Sequence, residues 1–335
     1  SGCGGSDLGI VGGFQFLGKN YEKLPFEIVF ALDNAPKAVE TYNHNFSHKA
    51  VVADIEKFNP NAMPDFDLLL GGFPCQSFST VNPTKNPFDK RGKLYKKMAL
   101  LLRIKKPKFF IAENVKGMLV LYGGKIYESI EKEFAVQGYV IKHKLLNAAD
   151  FGTPQSRRRL IILGGRGFSI ELPTPTVSRH TTVREAIEDL EDDRSAPNHT
   201  PNRHAPHVVK RWAALAEGES DPNYHRARLY ADRPSTTIRA GGGYGPKGNH
   251  LAGFHPPIHY RFPRQLTVRE AARLQGFPDR WSFDGSKTAQ GRQVGNAVPP
   301  PMAAAIAAQV AAALSAQKSR RRPLREAVTP LVLTA

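Results

Sequence analysis

Up to about residue 165 the chain alternates short apolar runs with segments whose apolar residues recur at helical spacing. Few architectures satisfy that alternation besides a parallel sheet wrapped by helices. The runs at 26–33, 50–55, 66–70 and 108–113 read as strands, and segments 36–46, 93–104 and 126–137 as the helices between them. Two further extended segments, 139–146 and 159–164, enlarge the sheet in hairpin fashion. The expectation is an α/β fold with a doubly wound, Rossmann-like sheet over residues 1–170.

Beyond that point the character changes. Residues 171–263 are rich in Pro, His, Arg and Gly with weak periodicity, and include the glycine-rich stretch 238–248, so a second, smaller, loop-rich domain is expected. That stretch lacks the terminal Lys-Ser/Thr of a nucleotide loop, which favours contact with a groove over cradling a phosphate. Residues 264–317, with helices at 267–274 and in the alanine-rich 301–317, return to the first domain, and 318–335 form a basic, disordered tail. A formal net charge of +17 (47 basic against 30 acidic residues) implies a polyanionic partner, nucleic acid first. Two cysteines, Cys3 and Cys75, cannot build a disulfide framework or a cysteine-based zinc site. His199, His204 and His207 lack helical ligand spacing, so no metal site is expected. No apolar run reaches the eighteen or so residues of a membrane span and no signal-like start is present, which makes the cytoplasm the expected compartment and excludes a membrane partner.

Candidate chemistry gathers at strand ends. Gly71-Gly72-Phe73-Pro74-Cys75 sets a cysteine in a loop directly after an apolar strand, where an α/β enzyme displays a nucleophile, although a lone cysteine also serves as a small buried hydrophobe. Glu113-Asn114-Val115 closes the next strand, so Glu113 and Cys75 emerge at one sheet edge as an acid and nucleophile pair. Gln155-Ser156-Arg157-Arg158-Arg159 begins another strand, on which Arg157 and Arg159 share a face and suit an anionic or carbonyl-bearing substrate. At the start, Ser1-Gly2-Cys3-Gly4-Gly5 is a glycine turn that lets a nucleotide-like cofactor approach the backbone at a helix start. Asp33 ends a strand where an acid bonds ribose hydroxyls, and Asp54-Ile55 ends another, suited to an adenine edge and face; the alternative for both acids is a strand-terminal turn.

With these residues in order, the chain resembles the C5-cytosine DNA methyltransferases. The glycine turn, Asp33, Asp54, Pro74-Cys75, Arg91-Gly92-Lys93-Leu94, Glu113-Asn114-Val115, the Gln155–Arg159 motif, 266–278 and Gln293-Val294-Gly295-Asn296-Ala297-Val298-Pro299-Pro300 all follow the family's sequence of motifs. The resemblance implies S-adenosylmethionine as methyl donor and S-adenosylhomocysteine as product, in a pocket formed by Gly2, Gly4, Gly5, Asp33, Asn34, Asp54, Ile55, Pro74, Leu94, Asn296 and Ala297. It implies that 171–263 is a variable target-recognition domain. In the family a strand ending in an aromatic residue precedes the glycine turn; this sequence starts after it, so such a strand is expected upstream, and without it a neighbouring strand would keep an unpaired edge.

The resemblance also assigns roles. Cys75 attacks C6 of cytosine, Glu113 serves N3, Arg159 holds O2, and Arg157 braces the Cys75 loop or the base. The base is flipped out of the duplex, with 81–91 closing over it. Thr236, Thr237, Arg239 and Gly242 fall where the family reads DNA. The expected partner is double-stranded DNA, bound by a monomer in the bacterial nucleoid, with a restriction endonuclease as a functional and not a physical partner. Two alternatives stay open: an RNA cytosine methyltransferase of the same fold, and a noncatalytic DNA-binding relative.

Overall fold

The computed structural model describes residues 1–73, 94–193, 195–224, 226–241 and 254–321. The glycine turn runs into helix α1 (Gly5–Val11), and a small antiparallel hairpin follows, β1 (Phe14–Phe16) with β2 (Lys19–Tyr21). Strand β3 (Leu32–Asp33), helix α2 (Pro36–Asn45) and strand β4 (Val51–Val52) make a parallel unit. Next come β5 (Leu68–Gly71), α3 (Tyr95–Lys105), β6 (Phe109–Val115), α4 (Lys125–Ala135), β7 (Tyr139–Asn147) and β8 (Arg158–Arg166). Their strands form one sheet in the order β5-β6-β8-β7, parallel between β5 and β6 and antiparallel at the two other pairings. The remaining elements are α5 (Val183–Ile187), α6 (Pro206–Ala213), the β9 (Ser220–Asp221) and β10 (Arg226–Ala227) pair, α7 (Val268–Gln275), α8 (Lys287–Asn296) and α9 (Pro300–Arg321).

Alternation along β6 and β8 sorts their side chains onto two helical layers. Phe110, Ala112, Leu160 and Ile162 pack on Met98, Leu102, Ile130 and Phe134 from α3 and α4. Phe109, Ile111, Ile161 and Leu163 pack on Ile10 of α1 and on Met302, Ile306 and Val310 of α9. A period of two in the strands and helices on both faces is the expected doubly wound, mixed α/β arrangement.

Three differences from the sequence reading have physical causes. The strands expected at 26–33 and 50–55 shrink to β3 and β4, because these two pair only with each other and a run of strand composition without a neighbour has no ladder to join. Contrary to expectation, the segment Lys287–Gln317 contains an 18-residue stretch apolar enough to cross a membrane, with mean hydropathy 1.5, yet half of that stretch is buried in the protein, where α9 covers the sheet. The described residues of 171–263 pack partly on the rest of the chain and partly on one another: Val183, Ile187, Leu229 and Ile238 share one hydrophobic cluster with Leu8, Phe14, Ala271, Leu274 and Val294, while Val208, Trp212, Leu215 and Ile258 form another.

Within that region His259 is fully buried, and its Nδ1 accepts the backbone N–H groups of Arg261 (3.0 Å) and Phe262 (3.2 Å). Burial, opposed by Glu270 and reinforced by Arg264, Arg261 and Arg228, lowers its pKa from 6.5 to about 4. The unfolded chain therefore binds a proton here that the folded chain refuses. Stability is complete above pH 6.5 and is expected to fall by about 3 kcal/mol as pH drops to 4. Urea unfolding of wild type and His259→Asn across that range checks this: the variant keeps an acceptor oxygen and should lose this component of the pH slope.

Candidate active site

The carboxyl end of β6 holds Glu113, the candidate acid. In the antiparallel register Val115 faces Arg159 and Glu113 faces Ile161, so Glu113 and Arg159 are diagonal neighbours on one face. Arg159 Nε lies 2.9 Å from Glu113 Oε1, with the two side chains only 13% and 17% exposed. In the parallel register Gly71 faces Ala112, which carries Gly72 past the same carboxylate; a Cβ on Gly72 would sit 3.6 Å from Glu113 Oε2. Asn114 Nδ2 then donates to the Phe73 carbonyl at 3.1 Å, fixing the chain two residues ahead of Cys75. Pro74, Cys75 and the expected closing segment 81–91 lie outside the described residues. The other cysteine is no competitor. Cys3 is buried with Sγ 3.6 Å from the Gln293 carbonyl, and burial pushes its thiol up to about 12.

Arg157 does not join Arg159 on the site face. Strand β8 starts at Arg158, so the period-two argument does not reach back to Arg157. That residue is 2% exposed, and its guanidinium donates to the carbonyls of Ile238 (3.0 Å), Gly295 (2.9 Å) and Ala297 (3.1 Å). Burial, with Arg159 nearby, drives its pKa well below the usual arginine value. Gln155 completes the grip: its Oε1 accepts Ile238 N–H at 3.1 Å, and its Nε2 donates to Leu274 O and Gln275 Oε1. Gln275 in turn donates to Ala297 O. The sequence reading placed Gln155 and Gln275 within motifs but gave neither a role. Arg157→Ala would strip this donor from the Ile238 and Gly295 carbonyls, while Ala297 O keeps Gln275, and is expected to lose about 3 kcal/mol in urea unfolding.

At the other end of the site, Asp33 accepts Gly2 N–H on Oδ2 and Ala35 N–H on Oδ1, both at 2.9 Å. Gly4 takes φ +92°, and its inner face is closed by Phe46, Trp281 and Tyr42, whereas a Cβ on Gly2 would meet nothing within 4 Å. Gly5 is pressed against Val298 O and Ala297, so the glycine turn and the Asn296–Ala297 segment are brought together. Asp54 closes the neighbouring strand end, where it caps Glu56 N–H at 2.9 Å, with Ile55 half-buried in the turn beside it. Asn34 is exposed next to Asp33, and Leu94 packs at the start of α3. An open glycine face flanked by a carboxylate with spare lone pairs fits a hydroxyl-bearing, nucleoside-like ligand.

The segment expected to read DNA is backed onto this assembly. Thr236 and Arg239 are exposed, while Thr237 Oγ1 donates inward to Ser156 O at 2.9 Å; Gly242 lies outside the described residues. Of the expected histidine group, His199 Nδ1 is 2.9 Å from Thr267 Oγ1, and the His204 ring packs edge-on to Trp212.

Comparison with known proteins gives consistent relatives. The sequence profile described as C-5 cytosine-specific DNA methylase matches residues 1–312. The chain is similar to the Type II methyltransferase M.NgoFVII of Neisseria gonorrhoeae, with 36% identity covering 90% of this chain and 82% of the relative. It is also similar to M.MthTI of Methanothermobacter thermautotrophicus, with 34% identity over 92% of this chain and 94% of that one. Among solved structures, a candidate DNA modification methyltransferase encoded within an E. coli prophage superposes with TM-score 0.76 at 25% identity, covering 94% of this chain and 97% of that one. The S. pombe Dnmt2 methyltransferase shares the fold, with TM-score 0.66 at 21% identity over 95% and 97% of the two chains.

Proposed function

The chain belongs to the C-5 cytosine-specific DNA methylase family and is a DNA cytosine methyltransferase, and on that premise we propose that it methylates C5 of a flipped cytosine within a short specific sequence through a covalent Cys75 adduct. The observation that carries this reading is the Glu113–Arg159 pair at the edge from which Gly72 and Phe73 lead to Cys75.

S-adenosylmethionine supplies the methyl group, held by Gly2, Gly4, Gly5, Asp33, Asn34, Asp54, Ile55, Pro74, Leu94, Asn296 and Ala297. Cytosine C5 is a weak nucleophile, so the ring must first be made electron-rich. The Cys75 thiolate adds to C6 while Glu113 delivers or shares a proton at N3, and the electron pair moves toward C5. Arg159 holds the base at O2. After C5 takes the methyl group and S-adenosylhomocysteine is left, water or hydroxide removes the C5 proton, the thiolate leaves C6 and N3 gives its proton back to Glu113, restoring the aromatic ring. Flipping costs a few kcal/mol, which contacts from residues 171–263 to the duplex offset. Arg157 acts as a brace between the reading segment and the cofactor segment, in place of contact with the base. A cytoplasmic, nucleoid-bound monomer working within a restriction and modification pair completes the proposal.

The test is to incubate the chain with S-adenosylmethionine and unmethylated DNA of diverse sequence, then map 5-methylcytosine at base resolution. Methylation confined to one short recurring sequence is expected. Incorporation into RNA alone, or into no nucleic acid, would overturn the proposal.

A further inference from the structure

Where β8 begins, successive side chains go to opposite faces of the sheet. Arg159, which faces Val115 in the ladder, turns to the side of Glu113. Arg158 therefore emerges on the other face, and it is exposed. Across from it β6 ends at Val115, and the next residue, Lys116, is exposed as well. The two cations thus stand one residue beyond the last cross-strand pair of β6 and β8, at the edge that holds Glu113. On its other side Arg158 faces Asn147 of β7, a neutral residue whose Oδ1 already accepts the Arg157 N–H. Neither cation has a side-chain hydrogen bond or an ion pair among the described residues. Arg211, Arg261 and Arg264, by contrast, are each held by a carboxylate.

The rim continues toward the segment expected to read DNA. Gln155 pairs in parallel with Ser235, and Ser156 N–H donates to Ser235 O at 2.8 Å, which sets exposed Ser156 beside exposed Thr236. Thr236, Ser156, Arg158 and Lys116 therefore present donors in order along one end of the sheet, past the Glu113–Arg159 pair. A row of donors ending in two uncompensated cations suits a chain of regularly spaced anionic oxygens. Facing away from Glu113 keeps both cations off a base held there. Resting on the reading of this chain as a DNA methyltransferase, we propose that Arg158 and Lys116 grip phosphates of the target strand beside the flipped cytosine. They are positioning residues: they fix the register of the backbone and read no base.

The test uses the full chain with Arg158→Gln, Lys116→Gln and both together. Each is titrated over a range of salt against a duplex carrying the sequence that wild type methylates and against a scrambled one. Each single variant should bind both duplexes about three- to tenfold more weakly, with the slope of log K against log salt reduced by about one, and the double variant by about two. KM for DNA should rise in step, while kcat, the methylated sequence and the urea midpoint stay as in wild type. Arg158→Lys keeps the charge and should recover most of the slope. A neutral methylphosphonate placed at single positions beside the target cytosine locates the contacts: where it weakens wild type, it should cost the matching variant nothing more. Unchanged affinity and salt slope in both single variants would overturn the proposal. So would a loss confined to one duplex, which marks base reading, or a fall in kcat at constant KM, which marks support of Arg159. The salt series on the scrambled duplex needs no methyl transfer. A wild type that binds DNA without methylating it would defeat the enzymatic reading and still test the grip.

Discussion

Cys75→Ala is expected to leave no measurable methyl transfer while changing DNA affinity by less than a few fold. The side chain enters the proposed chemistry only through the C6 bond, and among the described residues no other group at the edge replaces it: Glu113 is held by Arg159, and Cys3 is a buried, protonated thiol. Without that bond C5 stays too poor in electrons to accept a methyl group, so the rate falls by at least about 10⁴. Groove contacts and the flipping cost belong to other residues and persist. Incorporation of labelled methyl groups and a gel-shift titration on the same duplex read the two quantities separately. If transfer and binding disappear together, Cys75 is structural and the covalent mechanism falls.

Glu113→Gln is expected to lower kcat by about 10² to 10⁴ with a much smaller change in KM for DNA. The amide keeps the shape of the carboxylate and can still accept from Arg159 Nε, which lies 2.9 Å from Oε1, so the wall of the base pocket is conserved. What it loses is the ability to pass a proton to N3. Single-turnover kinetics isolates the chemical step, and near-normal turnover would remove Glu113 from the acid role.

The long strands and their helices were legible because burial on both sheet faces writes an apolar run, as at residues 109–112, and a helix over it writes a 3.6 period, as at Tyr95–Lys105. Helix α8 escaped this reading. Its sequence KTAQGRQVGN has few apolar residues to mark a face, because the face is made by two glycines, one against the Phe254 ring and the other against the backbone of Arg239 and Ala240. Glu113 and Arg159 could be placed from the register of neighbouring strands, since both sit inside paired β-structure. Arg157 could not, being one residue outside it, and no local pattern announces that a guanidinium will turn inward to three carbonyls from distant segments. Thr237 differs for a similar reason: its hydroxyl is used by Ser156, eighty-one positions away in sequence.

The grip on Ile238 is made entirely with its peptide N–H and C=O, by Gln155 on one side and Arg157 on the other. Thr236 and Arg239, flanking the clamped residue, stay exposed. A fastening made through the main chain is blind to the side chains it carries. On the proposal that this segment reads DNA, side chains at 236 and 239 can be exchanged without disturbing the main-chain clamp beside them.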